Sequence, residues 1–309
     1  MKRTAGTALI FLLIAVRPAA AQLTLDFACI VRLNFAYVPS PTPVMTPVLA
    51  ATPTPEPNVP QPFFLLESGD YNGNGTSDIA LFRKLTGLWA VRGVTRAYSG
   101  GPGDLPTSGD FTGDGTTDIA LFRPTSGLWI LRGISRTYFG QPGDFPCPAD
   151  YDGDSCADIA LFRGMSGLWA IRDITRTYFG GFSDRPVPGD YNGSGSAAIS
   201  IYRPSRGLWA LRGISRFYFG TAGDWALPGD YDGDGESEFA IFRPDTGMWA
   251  VRGLTRLYFG TRLDWPIPAD LNGDGTAAIA VFRRNCGLWA VRSLTRLYFG
   301  AWGDTPVTR

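Results

Sequence analysis

The chain has 309 residues, of which 44% are hydrophobic, 13% aromatic and only 18% charged, with 39 glycines. That profile belongs to a turn-rich globular β protein and excludes a disordered or coiled-coil chain. The formal net charge is zero, which removes the broad field that non-specific nucleic-acid binding uses, so DNA and RNA are excluded as expected partners.

Lys2 and Arg3, an apolar run from Ala8 to Val16, and Ala19-Ala20-Ala21 read as a secretory signal, residues 1–21, cleaved after Ala21. The run is about half of the roughly 20 residues a spanning helix needs. No later stretch is long enough either, so the expectation is no transmembrane segment in the mature chain. The protein is expected to be a monomer, secreted or cell-surface associated.

Residues 22–38 alternate strictly, with Leu23, Leu25, Phe27, Cys29, Val31, Leu33, Phe35 and Tyr37 on one parity, which predicts an N-terminal β segment. Residues 39–62 are rich in Pro and Thr and predict an extended linker.

Residues 63–309 carry the repeat. From Gly69 onward the chain repeats every 40 residues, marked by Trp89, Trp129, Trp169, Trp209, Trp249 and Trp289 and equally by Arg83 and its counterparts up to Arg283. Each unit reads as four short strands: one in the Asp-x-Pro-x-Pro phase, one after an acidic loop, one such as Leu128 to Arg132, and one ending in Tyr138-Phe139-Gly140. The predicted fold class is all-β, a β-propeller of six four-stranded blades, because a ring protects the edges that an open sheet exposes. The alternative is a β-solenoid or a string of independent hairpins. Strands at Phe63 to Ser68 and at Asp304 to Thr308 both occupy the first-strand phase, so a six-bladed ring has one strand too many.

Each acidic loop approximates Asp-x-Asp/Asn-Gly-Asp/Asn-Gly-x-x-Asp. Alternate oxygens at that spacing can wrap a hard cation wanting six to eight oxygen ligands. Asp150, Asp152, Asp154 and Asp158 supply four acids, as do Asp230, Asp232, Asp234 and Glu238; Asp70, Asn72, Asn74 and Asp78 keep the pattern with fewer charges. In the second loop Asp110, Asp114 and Asp118 are joined by Thr112, a weaker ligand. The fourth loop, Asp190, Asn192 and Ser194, ends in Ala198, and the sixth, Asp270, Asn272 and Asp274, ends in Ala278. The fifth, third and first loops are therefore the strongest expected Ca²⁺ sites. Mg²⁺ competes poorly, since it demands stiff octahedral geometry. The alternative for each loop is an Asx-type turn held by its own side chains without metal.

Tyr-Phe-Gly, then Gly-Asp-x-Pro, the acidic loop, Asp-Ile-Ala-Leu-Phe-Arg and Gly-Leu-Trp together resemble the FG-GAP/VCBS repeats of bacterial secreted proteins, similar to the blades of integrin α-subunits. The resemblance covers Gly69 to Arg309. It implies Ca²⁺ in the loops joining the first two strands of a blade, and a role in adhesion, recognition or carbohydrate binding.

The chain contains no histidine, and its only lysines are Lys2 and Lys84, so Ser-His-Asp triads, His-ligated zinc and most Schiff-base chemistry are excluded. A paired-carboxylate glycosidase needs only two acids, but nearly all acids here are periodic, and loop acids engaged with Ca²⁺ make poor proton donors. The expected function is non-enzymatic recognition or adhesion, with a glycan or a cell-surface protein as partner. The alternatives are a propeller lectin with Trp and Arg pockets between blades, and a purely structural scaffold. The recurring arginines predict ion pairs of Asp104 with Arg123, Asp144 with Arg163, and so on to Asp264 with Arg283. Arg92 and Arg96, with their counterparts, fall on the face of the acidic loops and are expected to balance its charge. The tryptophans read as packing between blades. Cys147 and Cys156 are positioned to close a small disulfide ring, leaving Cys29 and Cys286 as a second pair.

Overall fold

The computed structural model describes residues 69–307; the signal, the N-terminal β segment, the linker and Phe63 to Ser68 lie outside the described residues. Those described are all-β, with 24 strands in six four-stranded antiparallel sheets, each a blade of a six-bladed β-propeller. No helix among them is long and apolar enough to cross a membrane.

The second blade shows the plan. Its strands run Leu105–Gly109, Asp118–Arg123, Leu128–Leu131 and Ser135–Tyr138, each hydrogen-bonded to the next. Burial falls from the second and third strands to the fourth, which is open to solvent. In the third to sixth blades the first strand is only two or three residues long. A proline follows it there (Pro148, Pro188, Pro228, Pro268), and proline cannot donate to the ladder. The second blade has Ser108 instead, and its ladder continues to Gly109.

A cross-strand pair forms each blade's core. Phe122 of the second strand faces Trp129 of the third with ring centroids 5.4 Å apart, and both are fully buried. The pair recurs in all six blades, with Tyr202 in place of phenylalanine in the fourth. Burying each ring contributes about 1.5–3 kcal/mol, so these twelve side chains dominate the packing. In five blades the indole N–H also donates to a backbone carbonyl ten residues on, as from Trp129 to Phe139. Trp89 has no such partner among the described residues. Glycine before each Leu-Trp is required by geometry: Gly127 sits at φ +67°, and a Cβ there would lie 2.4 Å from the Gly140 carbonyl oxygen.

The surplus strand is resolved in favour of the C-terminal end. Thr305–Val307 pairs antiparallel with Ala80–Arg83, so the first blade takes its first strand from the end of the repeat. A second belt closes the ring independently. The N–H groups of Thr117, Ala157, Ala197, Ser237 and Ala277 each donate to the carbonyl of the preceding loop's first aspartate, and Ser77 donates to Asp270, at 2.5–2.6 Å.

Candidate functional site

The ring has two unlike faces, set by strand direction. On one face each blade's first strand begins beside the end of its second, which brings an aspartate to an arginine. Asp104 meets Arg123 through two charge-assisted bonds of 2.8 and 2.9 Å. The expected pairs form through to Asp264 with Arg283, and the closing strand adds Asp304 with Arg83. The carboxylates are buried, 0–3% exposed by side chain, while their guanidiniums stay 29–43% exposed. Arg83, Arg123, Arg163, Arg203 and Arg243 are held above their ordinary pKa, first by the aspartate's hydrogen bonds.

On the other face lie the acidic loops. In all six, the first aspartate serves as the frame: Asp110 accepts the N–H of Gly113 and of Gly115 at 2.7 Å, and Asp270 accepts those of Gly273 and Gly275 at 2.6 and 2.9 Å. Asp190 does the same for Ser194 and Gly195. In the first, second, third and fifth loops the closing carboxylate accepts a further backbone N–H, as Asp158 does from Tyr151 at 2.8 Å and Glu238 from Tyr231 at 2.6 Å.

Beyond this frame the loops diverge. Asp150, Asp152 and Asp158 bring one oxygen each within 4.8 Å of one another, as do Asp230, Asp232 and Asp234. Asp154 instead receives the Cys156 N–H, and Glu238 lies at the closing position. In the first loop the Asn72 amide donates to both oxygens of Asp78 at 2.9 Å, while Asn74 accepts from Thr76. In the second and sixth, Thr116 and Thr276 cap Asp114 and Asp274 at 2.5 Å. Those bonds hold the two carboxyls below the usual range. Asn272 is drawn to Asp274, while Asp118 closes the second loop. Burial pushes Asp78, Asp118, Asp158 and Glu238 upward, and neighbouring loop carboxylates add to the shift.

Cys147 and Cys156 are both free thiols, so the expected ring between them does not form. Cys147 is buried in the third blade's core, whereas the Cys156 sulfur packs against Gly113 of the preceding loop. Cys29 lies outside the described residues. The six periodic tryptophans, Trp89 to Trp289, are fully buried, so they pack rather than line a pocket. No ion pair joins Arg92, Arg96 or their counterparts to a loop acid among the described residues.

The sequence reading passed over a second periodic feature. Tyr98, Tyr138, Tyr178, Tyr218, Tyr258 and Tyr298 end the fourth strands and are 67–75% exposed. The signal was available: tyrosine alternates with arginine in Thr-Arg-x-Tyr, placing both on one face of the strand. Between the fifth and sixth blades a groove of about 310 Å³ is lined by Tyr258, Phe259 and Thr261 from one side and Arg283, Leu288 and Arg296 from the other. Another, of about 470 Å³, sets Phe139 of the second blade against Arg172 and Arg176 of the third.

No family model and no curated protein matches this chain. Solved structures similar to it include two of low identity. One is a lectin of Agrocybe aegerita described for specific recognition of non-reducing terminal N-acetylglucosamine, at 15% identity and a TM-score of 0.46, covering 70% of this chain and 75% of that one. The other is BBS1N in complex with ARL6DN, at 10% identity and a TM-score of 0.48, covering 77% and 80%. Both likenesses concern the fold alone.

Proposed function

We propose that this protein is an exported, non-enzymatic recognition module that binds glycans through the repeated grooves between its blades. The observation that carries the reading is the ring of six tyrosines, each about two-thirds or more exposed, one of which, Tyr258, lines a groove that also holds Arg283 and Arg296. A tyrosine presents an apolar ring and a polar tip, which suits the mixed faces of a sugar. A folded core has no use for six such rings in solvent. Repeated weak sites gain avidity when one ligand engages several together. The missing histidine and the burial of the first-strand aspartates in ion pairs argue against catalysis.

The resemblance of the repeat to FG-GAP/VCBS units supports calcium as a structural ion. Asp150, Asp152 and Asp158, with Asp230, Asp232 and Asp234, are the groups that would hold it. A bound divalent cation would neutralise carboxylates that crowd one another. Export rests on the sequence of residues 1–21 and on the extracellular supply of calcium that such loops need.

A glycan array probed with the calcium-loaded protein tests the reading. Binding to a defined glycan set is expected, weakened by Tyr258→Ala and Tyr298→Ala with the melting temperature unchanged. An array without binding above background overturns it.

A further inference from the structure

The arginines left over from the ion pairs are not scattered. Each blade places one at the turn after its third strand and one on its fourth strand, Arg132 and Arg136 in the second blade and Arg252 and Arg256 in the fifth, and all twelve are exposed. Acids are nearly absent from this outer wall. Asp173 is the exception, and it pairs with Arg172 at 3.3 Å. The other eleven have no carboxylate within salt-bridge distance among the described residues. Two lie over aromatic rings of the preceding blade: the Arg252 guanidinium sits 4.2 Å from the Phe217 ring centroid and Arg176 sits 6.0 Å from Phe139.

Net charge zero thus conceals a segregated molecule, with carboxylates gathered in the loops and guanidiniums on the rim. The loops join the first and second strands, and the fourth strand lies two ladder spacings farther out, about 10 Å. That exceeds the screening length of about 8 Å at physiological salt, so the loop acids do not cancel the fourth-strand arginines. The turn arginines sit nearer the loops, with the Arg132 N–H donating to the Ile119 carbonyl beside Asp118. We infer that the rim binds an acidic polysaccharide, its carboxylate or sulfate groups taken by the arginines and its sugar rings lying in the grooves.

Geometry selects this occupant over other polyanions. Guanidinium binds carboxylate and sulfate through two parallel N–H bonds, and the neighbouring aromatic ring takes the sugar face. A polymer repeating its charge can follow the circumference and engage consecutive grooves. A planar anionic membrane touches only the blades turned toward it, and double-stranded DNA, with a persistence length of about 150 base pairs, is too stiff to follow so small a ring.

This inference rests on the glycan reading, and the experiment separates the two. Binding of the full calcium-loaded protein is measured on immobilised dextran, dextran sulfate and polygalacturonate of matched length. The acidic polymers should bind at least about tenfold tighter than dextran through combined grooves, and should weaken steeply with added salt. Replacing Arg96 and its five fourth-strand counterparts by glutamine should remove most of that preference, whereas lysine at the same positions should keep part of it. Should the glutamine variant melt early, Arg136→Gln with Arg176→Gln alone, with its salt dependence, provides the reading. Equal affinity for dextran and dextran sulfate overturns the acidic preference and leaves neutral glycan binding standing, while binding to no polysaccharide removes both. Single-stranded RNA or anionic vesicles bound as tightly as dextran sulfate overturn it as well.

Discussion

On one face of the propeller every blade joins an aspartate to an arginine in the same two-bond geometry, six times in six. On the other face the six loops share a backbone frame and differ in the carboxylates hung on it. The difference follows from burial. A carboxylate shut away from water needs its partner, because an unpaired buried charge costs several kcal/mol. A loop side chain in solvent loses little when Asp becomes Asn, Thr or Ala, so loop sites degrade one by one while the frame persists. Internal repetition therefore separates what each blade needs to exist from what only some blades use.

The largest effect is expected from breaking the buried face where it also closes the ring. Arg83→Ala leaves Asp304 buried without its guanidinium and should cost about 3–5 kcal/mol in urea unfolding. Arg163→Ala, the same change within a contiguous blade, should cost less; equal losses would show that closure adds nothing. Calcium removal comes next. If the third and fifth loops each bind at about 10⁻⁴ M, excess EDTA should remove about 2–3 kcal/mol together. For a domain of this size that lowers the melting temperature by several degrees, by roughly 2–4 °C per kcal/mol. Asp232→Ala should abolish part of this difference and nothing in EDTA.

Asp190→Ala sharpens the contrast, since Asp190 holds the frame of a loop lacking its closing carboxylate. Its cost, about 1–2 kcal/mol for lost bonds to Ser194 and Gly195, should be the same with calcium and without. Differential scanning calorimetry in both conditions reads it. The smallest effect is a gain. Tyr202 alone replaces phenylalanine in the core pair, and its hydroxyl is buried without a partner among the described residues. Tyr202→Phe should stabilise by up to about 1 kcal/mol.

Much of the fold was legible because the repeat restates it. Period, strand count and the Asp–Arg pairs all follow from register, and register survives any local ambiguity. Three things were not legible. Two segments had the right phase to supply the missing first strand, and only pairing with Ala80–Arg83 distinguishes Thr305–Val307. The tyrosines were passed over because aromatic residues in a β repeat suggest core, and their exposure depends on which face of the fourth strand has a neighbour. The loop carboxylates are named by sequence, but whether three converge depends on side-chain choices such as Asn72 turning to Asp78 or Thr116 to Asp114.

The closing strand has a consequence for how the molecule is made. Five blades join their aspartate and arginine across 19 residues, whereas Asp304 and Arg83 are 221 apart. The five can be completed from contiguous chain as it emerges, but the first waits for the last. Until then Ala80–Arg83 offers an open edge with unmet N–H and C=O groups, the feature that invites pairing with another molecule. A chain stalled before Thr305 is therefore a half-open ring that a second copy can enter with its own final strand. Crowding nascent chains should turn that vacancy into strand-exchanged oligomers.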